Sequence, residues 1–165
     1  MSLGRWRRAA AAALLGCAAA TSAAADPIEG TFVLVEQRYG NGAWNLAASD
    51  RPLRLAFRRE GGALAGWVGA GGADAAASRW PAFANDAGFL PVESVEVTED
   101  AAAGEVRARY RVRPSPTDDL VLEIFETYRL VESGKALVGE MTVRFSAGGA
   151  DRGGFTLHRR FERER

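Results

Sequence analysis

The chain of 165 residues holds one cysteine and one histidine, and each scarcity closes a class of chemistry. A lone Cys17 can form no disulfide within the chain, so the domain must hold together by packing. A lone His158 supports neither a histidine-based catalytic triad nor a histidine metal cluster. Basic and acidic residues balance at 21 each, which lacks the positive excess of a nucleic-acid binder. No uninterrupted apolar run reaches the roughly 20 residues that a membrane-spanning helix needs. No amphipathic helical stretch of useful length is present either, so no glycine-rich phosphate loop can feed one.

A shorter apolar run stands at the start. Arg5, Arg7 and Arg8 precede Ala9 to Ala20, and TSAAADP follows. A basic start, a short apolar segment and small residues before a cut are the parts of an export signal. Cleavage after Ala25 removes Cys17 and leaves residues 26–165 as one domain. The alternative is LLGC, Leu14 to Cys17, which resembles a bacterial lipoprotein box and would leave a lipidated Cys17. The first cut allows a full-length apolar region, whereas the second sits at the floor of the usual 7–15 residues. Arg7-Arg8 adds a twin-arginine possibility. Losing three arginines and no acid turns the balance to 18 basic against 21 acidic residues. The expectation is an exported protein, periplasmic or secreted, that neither spans a membrane nor binds nucleic acid.

Beyond Asp26 the pattern has period two, punctuated by glycine, proline and asparagine. Strands read at IEGTFVLVEQRY, RPLRLAFRRE, ALAGWVG, VESVEVTE, EVRARYRVR, DLVLEIFETYRLVE, KALVGEMTVRFS and GFTLHRRFER. The six prolines fall at the starts of these runs or between them, where a missing donor does no harm. Eight consecutive strands with tight connections give an antiparallel up-and-down meander. Closing it into a barrel removes the two bare edges. A closed eight-stranded barrel is the first expectation and a two-sheet β-sandwich the second.

Within EVRARYRVR, arginine recurs at 107, 109, 111 and 113. A turn at Ser133-Gly134 pairs Glu132 with Lys135, Leu130 with Leu137, Ile124 with Val143 and Leu122 with Phe145. A register that keeps like faces together then sets Arg109 beside Glu123 and Arg107 near Glu96. The four arginines face water and Val106, Ala108, Tyr110 and Val112 face the core. An outer-membrane barrel is excluded, since it needs an apolar outer band.

The inward set carries the functional interest. On the last strand Phe155, Leu157, Arg159 and Phe161 share a face, and the GGADRGG connection sets Phe155 opposite Phe145 and Arg159 opposite Met141. Met141 also opposes Glu126, so a glutamate and an arginine enter one lumen. Buried charge is costly unless paired. The pair is read as a structural ion pair, or as Arg159 anchoring a carboxylate or phosphate head group in an apolar pocket.

Ile28-Glu29-Gly30-Thr31-Phe32 resembles the G-x-W signature of the lipocalins and related calycin barrels, with Phe32 in the tryptophan's place. In that superfamily the aromatic residue lies across the barrel floor near an arginine on the final strand. By position Arg159 matches it. The resemblance implies carriage of a small apolar ligand, and it also implies a structural role for that arginine.

Two stretches break the period. YGNGAWNLAASD reads as a mouth loop or a short extra strand. GAGGADAAASRWPAFANDAGFLPV is a long connection, a lid or a mobile segment, that carries Trp80, Phe83 and Phe89. Trp67 falls on the outward side by the hairpin count through Gly61-Gly62. The long connection either folds back over Trp67 or leaves an aromatic patch for a partner protein.

The leading expectation is a lipocalin-like barrel that binds a small hydrophobic or amphipathic molecule without cofactor or metal. Phe32, Phe57, Tyr110, Tyr128, Met141, Phe155 and Phe161 line it, with Glu126 and Arg159 as its polar pair. The rival is an envelope structural or interaction module with a filled core, acting through Trp67, Trp80 and Phe83. No catalytic constellation is found, and an enzyme using Glu126 as a proton shuttle ranks third.

Overall fold

A computed structural model describes residues 27–47, 52–70, 77–85, 88–115, 117 and 119–165. Residues 1–26, with Cys17 and Ala25, and the side chain of Phe89 lie outside the described residues. The fold is all-β. Its strands are β1 (Gly30–Tyr39), β2 (Asn45–Leu46), β3 (Leu53–Glu60), β4 (Ala63–Ala70), β5 (Ser78–Trp80) and β6 (Phe83–Asn85). They continue with β7 (Gly88–Leu90), β8 (Val92–Asp100), β9 (Glu105–Val112), β10 (Leu120–Val131), β11 (Ala136–Ala147) and β12 (Ala150–Arg163).

All eight expected strands are present, as β1, β3, β4 and β8 to β12. They form one antiparallel path in the order β5-β4-β3-β1-β12-β11-β10-β9-β8, with β2 paired to β1 at the side. The first strand pairs with the last, so the meander has curled round on itself. Closure stops there: β5 and β8 end the path without pairing, and the sheet is an open half-barrel. The seam falls at the long connection, whose β6 and β7 pair only with each other.

Side-chain parity follows the sequence. On β9, Val106, Ala108, Tyr110 and Val112 are buried while Arg107, Arg109 and Arg111 are exposed. The β10–β11 hairpin has the expected register throughout, from Leu130–Leu137 to Leu122–Phe145. Its turn has Glu132, Ser133 and Gly134 at positive φ, the left-handed geometry that a tight hairpin requires.

Three registers differ from expectation by two residues while keeping the face. Arg109 opposes Phe125 and Glu96, and Arg107 opposes Thr127 and Thr98. The β8–β9 ladder also slips at Glu93. On β12, Phe155 opposes Val143 and Arg159 opposes Gly139, because the turn is a tight Gly148-Gly149 and a bulge sets Arg152 and Gly153 of β12 against the single Phe145 of β11.

Candidate functional site

The concave face of the half-barrel is packed by side chains from opposite walls. Phe57 of β3 meets Trp80 of β5 edge-on at 5.2 Å, and Trp80 meets Tyr128 of β10 at 5.9 Å. Tyr128 reaches Phe161 of β12 at 5.9 Å. Such tilted and edge-on pairs suit the quadrupoles of the rings. Two glycines make the room. A Cβ on Gly66 would lie 2.8 Å from the Trp80 ring and 3.0 Å from Phe57, and one on Gly139 would collide with Tyr128.

One carboxyl sits inside this aromatic packing. Glu126 is 3% exposed, accepting hydrogen bonds from Trp80 Nε1 at 2.6 Å and from the Tyr110 hydroxyl at 2.8 Å. Burial pushes its carboxyl above the ordinary range, opposed by the Arg159 charge and by hydrogen bonds from Tyr110, Trp80 and Tyr128. Both tyrosines are raised as well, first by burial and then by the charge of Glu126.

Arg159 does not form the expected contact ion pair with Glu126. Its guanidinium instead donates to the Tyr128 hydroxyl at 3.3 Å, and its buried Nε has no hydrogen-bond partner among the described residues. The two-residue register shift on β12 accounts for this, since it sets Arg159 beside Gly139 instead of Met141. Burial works to lower its pKa, and the Tyr128 and Glu126 groups more than offset that.

All nine candidate lining residues stand on the face expected of them. Phe32, Phe57, Tyr110, Glu126, Tyr128, Met141 and Phe161 are buried, and Phe155 and Arg159 are half-buried. Phe32, Phe57, Tyr110, Tyr128, Met141 and Phe161 form one core cluster with Phe155 packed against it, while Arg159 also borders an open pocket of about 370 Å³ beside Gly139 and His158. Trp80 completes this packing, whereas the sequence offers its segment only as a cover over Trp67 or as an outer aromatic patch. Trp80 is 5% exposed and Phe83 packs against the core, so neither stands on an outer aromatic patch. Trp67 does face outward, where Arg58 covers its ring at 3.8 Å and Arg79 at 4.7 Å. The exposed large apolar residues near the first hairpin are Tyr39, Trp44 and Leu46.

Phe32 has an arginine beside it, though a different one from the Arg159 that the resemblance implies. Arg163 lies over the Phe32 ring at 4.9 Å. It donates to the carbonyls of Gly134 at 2.6 Å, Glu29 at 2.7 Å and Pro27 at 3.3 Å, pinning the chain's entry to its last strand.

Open space lies at the seam. A lateral cleft of about 510 Å³ separates Leu64, Gly66, Trp80 and Pro81 on one side from Val92, Val95 and Val97 of β8 on the other. Trp80 belongs both to this cleft and to the packed interior. None of the nine candidate lining residues borders it.

Among the described residues no group of three histidine, cysteine, aspartate or glutamate side chains is placed to hold a metal ion. Among them, too, no helix is long and apolar enough to cross a membrane. Fold and site together define an all-β, barrel-like protein with a filled concave face and a cleft in its wall. Compared with known protein families and with curated proteins, the sequence matches none.

Proposed function

We propose that this is an exported, lipocalin-like binding protein whose site is the lateral cleft rather than the barrel axis. The observation that carries the reading is the cleft itself. At about 510 Å³ it exceeds the roughly 300 Å³ at which ligand pockets begin, and it is walled mainly by apolar side chains. The axial space is taken by Phe57, Trp80, Tyr128 and Phe161, which suits the filled core of the rival reading. An apolar or amphipathic ligand is therefore held beside Trp80, between the two free edges. Support for the lipocalin-like assignment comes from the first strand paired to the last and from Arg163 over Phe32. Support for export comes from the basic start, the Ala9–Ala20 run and the small residues before Asp26.

Native mass spectrometry of protein purified from its own host tests the reading. A retained small-molecule or peptide adduct is expected, lost in a Leu64→Glu variant that places charge in the cleft wall. A bare mass for the wild-type protein, together with a co-purifying protein that stays bound to the Leu64→Glu variant, would favour the interaction module instead.

A further inference from the structure

We propose that the occupant of the cleft is an extended polypeptide segment that adds to the free edge of β8. This rests on the cleft being the binding site, and it names the chemistry of the ligand. β8 is nine residues long and, among the described residues, pairs on one side only, with β9. Across that ladder Val95 opposes Tyr110 and Val97 opposes Ala108, both buried. Val95 and Val97 themselves are 55% and 41% exposed, and among the described residues they line the open cleft on the seam side.

The two kinds of apolar ligand differ in what they do to the main chain. A hydrocarbon tail laid along β8 would strip water from the edge N–H and C=O groups and return no hydrogen bond. An extended peptide continues the ladder and sends every second side chain into the cleft, toward Leu64 and Trp80. The polar side chains that line the cleft are Arg79, Glu93 and Ser94, and the two charged ones are paired, Arg79 with Glu60 at 2.9 Å and Glu93 with Arg113, so the strand edge is the feature that can fix a ligand's orientation.

Charge narrows the occupant. Of the acids on β8, Glu93 is held by Arg113 at 2.8 Å, and Glu99 is held by Arg59. Glu96 opposes Arg109, whose guanidinium lies 3.9 Å from Glu123. Glu96 thus presents a carboxylate on the outer face of the edge, with Asp100 closing the strand. Pairing β8 with β8 of a second copy about Glu96 would set carboxylate against carboxylate, which is destabilising. The same charge welcomes a basic residue. The fitting segment alternates apolar residues, inward, with lysine or arginine, outward.

The test uses a capped six-residue peptide of alternating valine and lysine, with calorimetry and hydrogen exchange on the full mature protein. Binding is expected, with exchange of β8 amides slowed at least tenfold. N-methylation of alternate peptide amides, or glutamate in place of lysine, is expected to weaken binding at least tenfold. Val97→Lys should do the same without moving the urea midpoint. If dodecanoate binds, competes with nothing but itself and leaves the peptide unbound, the cleft remains a site and the strand proposal falls. If neither probe binds, both fall. Protection of β8 that rises only with protein concentration would assign the edge to a second copy and also overturn the proposal.

Discussion

At the residue scale, Glu126 concentrates the conflict between burial and chemistry. Its carboxyl has no facing cation within ion-pair distance among the described residues, yet two donors, Trp80 and Tyr110, hold its oxygens. Burial prevails and the folded-state pKa lies above the ordinary value of 4.5. The sign of the pH effect follows. A carboxyl raised on folding stabilises the native state while protonated, and that contribution is lost as pH climbs through the folded-state value. Thermal stability is therefore expected to fall as pH rises above about 4.5, with a slope of at most about 1.4 kcal/mol per pH unit. Glu126→Gln keeps an acceptor for Trp80 and removes the titration, so its melting temperature should vary less across the same range. Identical profiles for the two proteins, followed by circular dichroism from pH 4 to 8, would show that Glu126 does not govern the dependence. The sequence placed Glu126 inside by parity alone. It was silent on the partners, since Trp80 arrives from a strand 46 residues away that only the folded seam positions.

At the scale of the element, β9 shows how far alternation reaches. Arg107, Arg109 and Arg111 point to water, as period two requires. Their contacts are ordinary surface ones: Arg107 with Glu105 at 2.5 Å, and Arg109 at 3.9 Å from Glu123 and 5.3 Å from the Phe125 ring. Exposed pairs of this kind contribute about 0.2–1 kcal/mol each. The variant with all three replaced by glutamine should lose no more than about 2 kcal/mol in urea unfolding. Ile124→Ala, on the β10 face opposite Tyr110, should cost about 2–5 kcal/mol alone. A larger loss from the arginine variant than from Ile124→Ala would mean that the stripe is structural. Which face a strand buries was thus legible in the sequence, because parity is a local property. Register was legible only where the turn is short. The β10–β11 hairpin came out in full, whereas the β9–β10 connection, and the tight Gly148-Gly149 turn with its bulge, each moved the pairing by two residues. A shift of two preserves the face, so the core survived an error that displaced Arg159 from its expected partner.

For the whole molecule the question is why the wall stays open at one place and what restrains it there. Closure would need β5 to run alongside β8, but β5 has three residues and β8 nine. The connection between them spends its residues on the separate β6–β7 hairpin instead. Trp80 then occupies the space that a continued wall would enclose, tied to Glu126 on the far side. At the other end of β8 the seam is bridged by charge. Arg59 of β3 binds Glu99 of β8 through two nitrogens and Glu29 at 3.0 Å, joining both sides of the opening to the entering chain. An ion pair at a half-exposed position contributes little to global stability, but it can hold together two strands, β3 and β8, that share no backbone ladder. Local opening of β8 should be the first motion released when it is cut, since weakly tied units open below the global free energy. Arg59→Met is therefore expected to speed amide exchange in β8 several-fold while leaving the centre of β10 and β11 unchanged. Raising the salt should move the wild-type protein in the same direction and leave the variant nearly insensitive, because screening removes what the substitution has already removed. If β8 exchanges equally slowly in both proteins at low salt, the seam is held by the packing of Trp80 and the β8–β9 ladder, and the charge bridge is incidental.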